Sequence, residues 1–100
     1  MKTADISVHD IAAVLADLSR KKDIRIFLQA LLTPPERACI GLRWRLVCML
    51  AAGVPQRVIA KSLGISLCKI TRGSRELKFK PAFRKIVAAY KNNKEKKKGK

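Results

Sequence analysis

The most informative stretch of the chain is Gln56–Arg72, which reads QRVIAKSLGISLCKITR. It contains two short segments with apolar residues at helical spacing, separated by Gly64, a residue that tolerates the positive φ of a tight turn. Ala60 is small enough for two helices to approach closely there, and the Ser66 hydroxyl can cap the second helix. The apolar residues expected to form the shared core are Ile59, Leu63, Ile65 and Ile70. The pattern predicts a helix-turn-helix over residues 56–76.

An ordinary helical hairpin gives a similar pattern, and the charge of the chain favours the helix-turn-helix. The chain has 23 Lys and Arg residues against 7 Asp and Glu residues, a formal net charge of +16. Such a surplus attracts polyanions, of which nucleic acid is the commonest for a small basic protein. We therefore expect double-stranded DNA as a partner, with the second helix in the major groove. The candidate DNA-binding residues are Gln56, Arg57, Leu67, Cys68, Lys69, Thr71, Arg72 and Lys78.

Helix start and stop signals divide the whole chain into six helical segments. The strongest start is Thr33-Pro34, where Glu36 completes a capping box with Thr33. One face of the third segment is expected to consist of Ile40, Trp44, Val47 and Ala51. The fifth segment is predicted from Ser66 to about Glu76, and the sixth from near Pro81. Because no segment alternates apolar and polar residues with a period of two, the predicted fold class is all-α.

The length of 100 residues gives room for one domain, which we place at residues 1–90. A chain of this length buries a modest fraction of its surface, so a monomer would be marginally stable and oligomerisation would enlarge its core. The remaining stretch, residues 91–100, reads KNNKEKKKGK and has no apolar residue. We expect it to be a disordered basic tail that is attracted to phosphate.

Several classes of protein are disfavoured by what the sequence lacks. The three cysteines are Cys39, Cys48 and Cys68, an odd number without C-x-x-C spacing, which argues against a disulfide framework and against a metal site. We find no Gly-rich phosphate loop, no paired carboxylates and no base for a thiol nucleophile, so an enzyme is not expected. No run approaches the roughly 18 apolar residues of a membrane span, and three acids among the first twenty residues argue against a signal peptide. We expect a cytoplasmic protein without a membrane partner.

The stretch from Leu32 to Lys78 resembles the tryptophan repressor family of bacteria. The matching residues are Leu32-Thr33-Pro34, Glu36-Arg37, Gly41, Arg43, Arg45, Gly53, Gln56-Arg57, Leu63-Gly64, Ile70-Thr71-Arg72-Gly73-Ser74 and Leu77-Lys78. The combination LTPxER…GxRxR…ITRGS is specific, whereas a helix-turn-helix alone is not. The resemblance implies an intertwined six-helix homodimer with a helix-turn-helix reading head. It also implies that free L-tryptophan binds as a non-covalent corepressor before the dimer binds operator DNA.

The resemblance further implies a set of ligand-binding residues, namely Arg43, Arg72, Thr33, Gly73, Glu76, Ala30 and Leu32. The indole ring would lie between Arg43 and Arg72, because guanidinium planes stack on aromatic faces. Arg72 would also hold the ligand carboxylate with help from Thr33, and Gly73 would let the pocket wall approach the ring. Backbone carbonyls around Ala30 and Leu32 would accept hydrogen bonds from the ligand ammonium across the dimer. From the residues alone, we would instead favour phosphate contact or a solvated helix face for both arginines.

The sequence departs from the family's pattern at Pro35, which replaces a usual acid, at Ala60, Lys69 and Glu76, and between Gly53 and Gln56, where one residue fewer is present. Glu76 replaces a serine that assists the ligand's amino group, and its carboxylate could either pair with the ammonium or fill the pocket. We favour pairing, in which case the amine-lacking analogue indole-3-propionate would bind much worse than tryptophan. Lys69 replaces a small hydroxyl residue that contacts operator DNA, and Ala60 replaces a lysine that reaches phosphate. The operator sequence therefore cannot be carried over from the family.

The function that these observations predict is an L-tryptophan-dependent transcriptional repressor that binds operator DNA of tryptophan-related genes. One alternative is a DNA-binding protein of the same fold that is independent of ligand or responds to another ligand. Another is a basic protein that binds nucleic acid without sequence specificity, since binding of that kind is almost wholly electrostatic.

Overall fold

The computed structural model describes residues 7–98, which form six α-helices and no β-strand. The helices are α1 (His9–Asp17), α2 (Lys21–Leu31), α3 (Pro34–Ala51), α4 (Gln56–Leu63), α5 (Leu67–Phe79) and α6 (Pro81–Lys98). The prediction of an all-α fold with six helical segments is confirmed for the described residues. Contacts group the chain into two compact units, within Met1–Arg37 and within Ala38–Lys100, where the sequence predicted one domain over residues 1–90. Each unit is described by itself below.

The first unit contains α1, α2 and the start of α3, which begins with the predicted capping box. The Thr33 backbone N–H donates to Glu36 Oε1 at 2.8 Å, and the Glu36 N–H donates to Thr33 Oγ1 at 3.3 Å. These two bonds satisfy backbone donors that would otherwise lack a partner at the helix start. The Arg37 guanidinium also donates to the carbonyls of Gln29 at 2.7 Å and Leu32 at 3.1 Å, which ties α3 to the end of α2.

The second unit has a small apolar core that connects α3, α4 and α5. Its centre is formed by Leu46, Ile59 and Ile70, of which Ile59 and Ile70 are fully buried. Partly buried hydrophobic residues pack around this centre: Met49, Leu50, Val54, Ala60, Leu63 and Ile65. The shared core predicted for the two segments of residues 56–72 is therefore confirmed. It holds α5 against α4 and fixes the orientation of the α5 surface.

The turn between α4 and α5 depends on Gly64, which adopts φ 64° and ψ 37°. This left-handed conformation is strained for residues with a Cβ, which explains the glycine. The Ile65 N–H donates to the Ala60 carbonyl at 3.2 Å and so satisfies a carbonyl at the end of α4. Ser66 is the N-cap of α5, and its side chain accepts a hydrogen bond from the Lys69 N–H at 3.4 Å. Both predicted turn residues thus have the expected roles.

The structure differs from the sequence predictions in the last two helices. The fifth helix continues to Phe79, beyond the expected end near Glu76, because no helix breaker occurs before Pro81. The sixth helix continues to Lys98, so residues 91–98 are helical and not disordered as predicted, whereas residues 99–100 lie outside the described residues. Lys and Glu are good helix formers, and adding residues to an existing helix costs far less than starting one.

Other faces of the helices carry apolar side chains that the chain itself does not cover. On the predicted apolar face of α3, Val47 is buried, but Ile40 and Ala51 are exposed.

Within residues 7–98, no helix combines the length and the apolar composition needed to cross a bilayer.

Candidate functional site

A cavity of about 240 Å³ lies between α3 and α5 in the second unit. The residues that line it are Cys39, Leu42, Arg43, Leu46, Val47, Ile65, Lys69, Arg72, Gly73, Glu76 and Phe83. Drug-sized ligands occupy pockets of roughly 300–1,000 Å³, so this cavity suits a smaller molecule such as one amino acid. Four of the residues that the sequence assigned to ligand binding line it together, namely Arg43, Arg72, Gly73 and Glu76.

The α5 wall of the cavity consists of residues that share one helix face. Counted from Lys69, the next lining residues of α5 follow after three, four and seven positions, and they are Arg72, Gly73 and Glu76. Residues with this spacing lie on the same face of a helix. The opposite wall comes from α3, where Arg43 follows Cys39 by one turn and its Nη2 donates to the Cys39 Sγ at 3.7 Å. Two helices therefore present one arginine each to the same space.

The Glu76 carboxylate at the cavity wall forms a salt bridge with a cation that is not part of the lining. Its Oε2 lies 2.7 Å from Lys80 Nζ, one helical turn further on. The hydrogen bond from Lys80 is the largest effect on the pKa of Glu76 and lowers it below its ordinary value. Burial opposes this change, and the positive charges of Lys80 and Arg72 add smaller lowering effects. Glu76 is therefore an anion at neutral pH, and Arg43, Lys69 and Arg72 are the cations of the cavity lining.

Gly73 is buried where α5 crosses α3. A Cβ at this position would lie 3.3 Å from Leu46 Cδ2 and 3.4 Å from Leu50 Cδ1. The missing side chain thus lets α5 pack closely against the leucines of α3 at the wall of the cavity. The resemblance implied a different reason for the glycine, namely close approach of the ligand ring.

The other three predicted ligand-binding residues, Thr33, Ala30 and Leu32, belong to the first unit and are not among the cavity-lining residues. The Thr33 hydroxyl serves the capping box of α3. Seven lining residues were not predicted as ligand-binding, namely Cys39, Leu42, Leu46, Val47, Ile65, Lys69 and Phe83. The signal for Lys69 was available, because it precedes Arg72 by three residues on a predicted helix and such residues share a face.

All eight candidate DNA-binding residues are exposed. Leu67, at the first turn of α5, is 54% exposed. The Thr71 hydroxyl donates to the Leu67 carbonyl at 2.9 Å, while Lys78 Nζ lies 5.6 Å from the centre of the Phe79 ring. The start of α5 thus presents a mixed apolar and basic surface to the solvent.

In the part of the chain that the structure describes, no group of three or more His, Cys, Asp or Glu residues is arranged to hold a metal ion. The cavity has instead the chemistry of a site for an organic ligand with a flat apolar part and an anionic group. Guanidinium planes can stack on such a part, and the same cations attract the anionic group.

A formal net charge of +16 on a small all-helical chain is typical of proteins that bind nucleic acid. Residues 7–91 match the family model described as Trp repressor protein. The chain belongs to the Trp repressor family, whose members are transcriptional repressors and not enzymes.

Relatives named Trp operon repressor homolog support this membership. The chain is 44% identical over 70 residues to that of Mannheimia succiniciproducens and 37% identical over 70 residues to that of Vibrio atlanticus. These matches cover 68% and 69% of this chain, and 69% and 71% of the two relatives. The homolog from Actinobacillus succinogenes is 51% identical over 53 residues, which span about half of each chain (52%). No solved structure matches the chain significantly.

Proposed function

We propose that this chain is an L-tryptophan-dependent transcriptional repressor that binds operator DNA of tryptophan-related genes as a homodimer. The observation that carries the proposal is the cavity of about 240 Å³ in which Arg43, Arg72, Gly73 and Glu76 meet. Each of these four occupies a position that the family resemblance assigns to the ligand. The family supports the repressor class, and the cavity supports a small ligand.

In this proposal the indole ring of tryptophan lies between the guanidinium groups of Arg43 and Arg72. Arg72 also holds the ligand carboxylate with help from Thr33, and backbone carbonyls around Ala30 and Leu32 accept hydrogen bonds from the ligand ammonium across the dimer. The two arginines belong to different helices, so one ligand contacts α3 and α5 together. Stacking of a cation on an aromatic ring contributes about 0.5–2 kcal/mol, depending on how far the pair is removed from water.

DNA is bound by α4 and α5 as a helix-turn-helix, with the start of α5 in the major groove. Leu67, Cys68, Lys69 and Thr71 would lie nearest the bases, whereas Gln56 and Arg57 at the start of α4 would contact phosphate. The exposure of all these residues supports this assignment. Arg72 and Lys78 follow on the same helix and add positive charge.

The ligand can control DNA binding because the two sites share α5. Tryptophan in the cavity would join Arg43 on α3 to Arg72 and Gly73 on α5. Binding would stabilise the orientation of α5 in which the two copies of the dimer reach successive major grooves. A coupling free energy of roughly 1–3 kcal/mol corresponds to a change of about 5- to 150-fold in DNA affinity.

Titration calorimetry with L-tryptophan tests the ligand part of this proposal. The purified protein should bind tryptophan, and Arg43→Ala should weaken binding by about 2- to 30-fold, the equivalent of the lost stacking free energy. Arg72→Ala should weaken it by at least as much, since it also removes a charge-assisted contact with the carboxylate. Arg57→Ala is the matched control, because Arg57 is an exposed arginine that does not line the cavity. Absence of tryptophan binding by the unmodified protein would refute the proposal.

A second candidate is a repressor of the same fold that responds to another ligand or to none, and Glu76 favours it. Its carboxylate stands at the cavity wall and is already paired with Lys80 at 2.7 Å. In the tryptophan proposal, Glu76 pairs with the ligand ammonium, so indole-3-propionate should bind much more weakly than tryptophan. Equal affinities for the two compounds would show that Glu76 does not recognise the amine.

A further inference from the structure

Lys69 lies at the junction of the two surfaces that this chain uses. It stands in the first turn of α5, the exposed helix start that the sequence assigned to DNA, and its backbone N–H is fixed by the Ser66 cap at 3.4 Å. The same residue lines the cavity together with Arg72 and Glu76 on one helix face. A side chain on this face can turn towards the cavity, towards solvent or towards a phosphate.

The charges of the cavity leave room for a further anion. The one carboxylate of the lining, Glu76, pairs with Lys80, which is itself outside the lining. Among the residues whose side chains the structure describes, neither Lys69 nor the arginines of the lining form a salt bridge. Three cations thus face a space in which the single anion is already paired. The excess positive charge favours a ligand that carries a carboxylate.

We propose that Lys69 is a further ligand-binding residue, which recognises the carboxylate of the amino acid in the cavity together with Arg72. This inference rests on the proposed function, since it concerns the same cavity and the same ligand. It changes the role expected for Lys69 from DNA contact alone to a contact with the ligand as well. The carboxylate would thereby be held by the first turn of α5, and not only by its middle.

The test compares ligands that differ in one charged group, in the absence of DNA. Calorimetry would measure the affinities of the unmodified protein and of Lys69→Met for L-tryptophan and for L-tryptophanamide, which lacks the carboxylate. We expect Lys69→Met to weaken the binding of L-tryptophan by about 3- to 10-fold, the range of a partly exposed charge pair. The affinity for L-tryptophanamide should stay unchanged or rise slightly. Lys69→Arg should restore most of the affinity for L-tryptophan, because it restores the charge.

Lys61→Met is the matched control, because Lys61 is exposed on α4 and does not line the cavity. This variant should bind both ligands with the affinity of the unmodified protein. If the unmodified protein binds L-tryptophan and Lys69→Met binds it equally well, the inference about Lys69 is overturned while the proposed function stands. The inference is also overturned if Lys69→Met weakens both ligands alike, since a general disturbance of α5 would do so. If the unmodified protein binds no tryptophan, both are overturned together.

Discussion

At the scale of single residues, Gly73 connects the packing of the second unit with its cavity. An added Cβ would lie 3.3 Å from Leu46 Cδ2 and 3.4 Å from Leu50 Cδ1, so a larger side chain requires the leucine side chains of α3 to shift. Arg43 stands on α3 and Arg72 on α5. Gly73 lines the same cavity as these two arginines, so packing at this glycine is directly beside them.

Gly73→Val should lower the free energy of unfolding by about 1–3 kcal/mol, the usual cost of overpacking a core. The matched control is Gly41→Val in α3, where an added Cβ meets nothing within 4 Å. Both variants make the same change within a helix, so their difference isolates the packing of Gly73. Urea denaturation at equal protein concentration measures the free energy of unfolding of each variant. Equal values for Gly73→Val and Gly41→Val would contradict this account.

At the scale of the helix, the capping box of α3 is the clearest link from sequence to structure. Thr33→Ala removes the hydroxyl that accepts from the Glu36 N–H, and loss of such a cap costs about 1 kcal/mol. The midpoint of thermal unfolding should fall accordingly, by several degrees for a chain of this size. Ser62→Ala, a hydroxyl removed within α4, is expected to have little effect. If both variants unfold at the temperature of the unmodified protein, the cap contributes nothing to stability.

The same box predicts a pH dependence. Hydrogen bonds from the Thr33 backbone and side chain lower the pKa of Glu36 below its ordinary value. A carboxyl group with a lowered folded pKa stabilises the fold above its ordinary pKa of about 4.3, and this contribution is lost as the pH falls through the folded value. The stability advantage of the unmodified protein over Glu36→Gln should therefore be largest near pH 7 and disappear towards pH 3. If the stability advantage over Glu36→Gln grew as the pH fell, the prediction that the fold lowers the pKa of Glu36 would be contradicted.

Local signals predicted the starts of α3 and α5 and the end of α4, but not the ends of α5 and α6. Thr33, Gly64 and Ser66 act through bonds to residues within four positions, so the sequence alone reveals their roles. The end of α5 and the length of α6 were missed, because both depend on helix propagation past residues without a breaker. The family resemblance indicated four cavity residues. It did not indicate Lys69, because the family has a different residue there and the cavity role depends on how α5 packs against α3.

At the scale of the whole molecule, the apolar surface of α6 argues for a partner. Phe79, just before the helix, is 66% exposed, while Ile86 is 61% and Tyr90 45% exposed. Neither α1 nor α2 has a buried residue. Exposed apolar side chains on several helices are typical of a protein whose core is completed by association.

We expect a solution mass of twice the 11.2 kDa of the chain, measured by light scattering during size-exclusion chromatography. Ile86→Glu should shift the mass towards the monomer, because it places a charge on the apolar surface of α6. Lys85→Glu is the control, since it places the same carboxylate at the adjacent position, which is exposed and already charged. A monomeric mass for the unmodified protein would exclude the homodimer.

The most direct test of the central claim is the affinity of the protein for promoter DNA of tryptophan-related genes, measured by fluorescence anisotropy at one salt concentration with and without L-tryptophan. Tryptophan should raise the affinity by about 5- to 150-fold. Arg43→Ala, which changes the cavity and not the exposed start of α5, should abolish this increase. An affinity that is the same with and without tryptophan on every such promoter would contradict control of α5 by a ligand in the cavity.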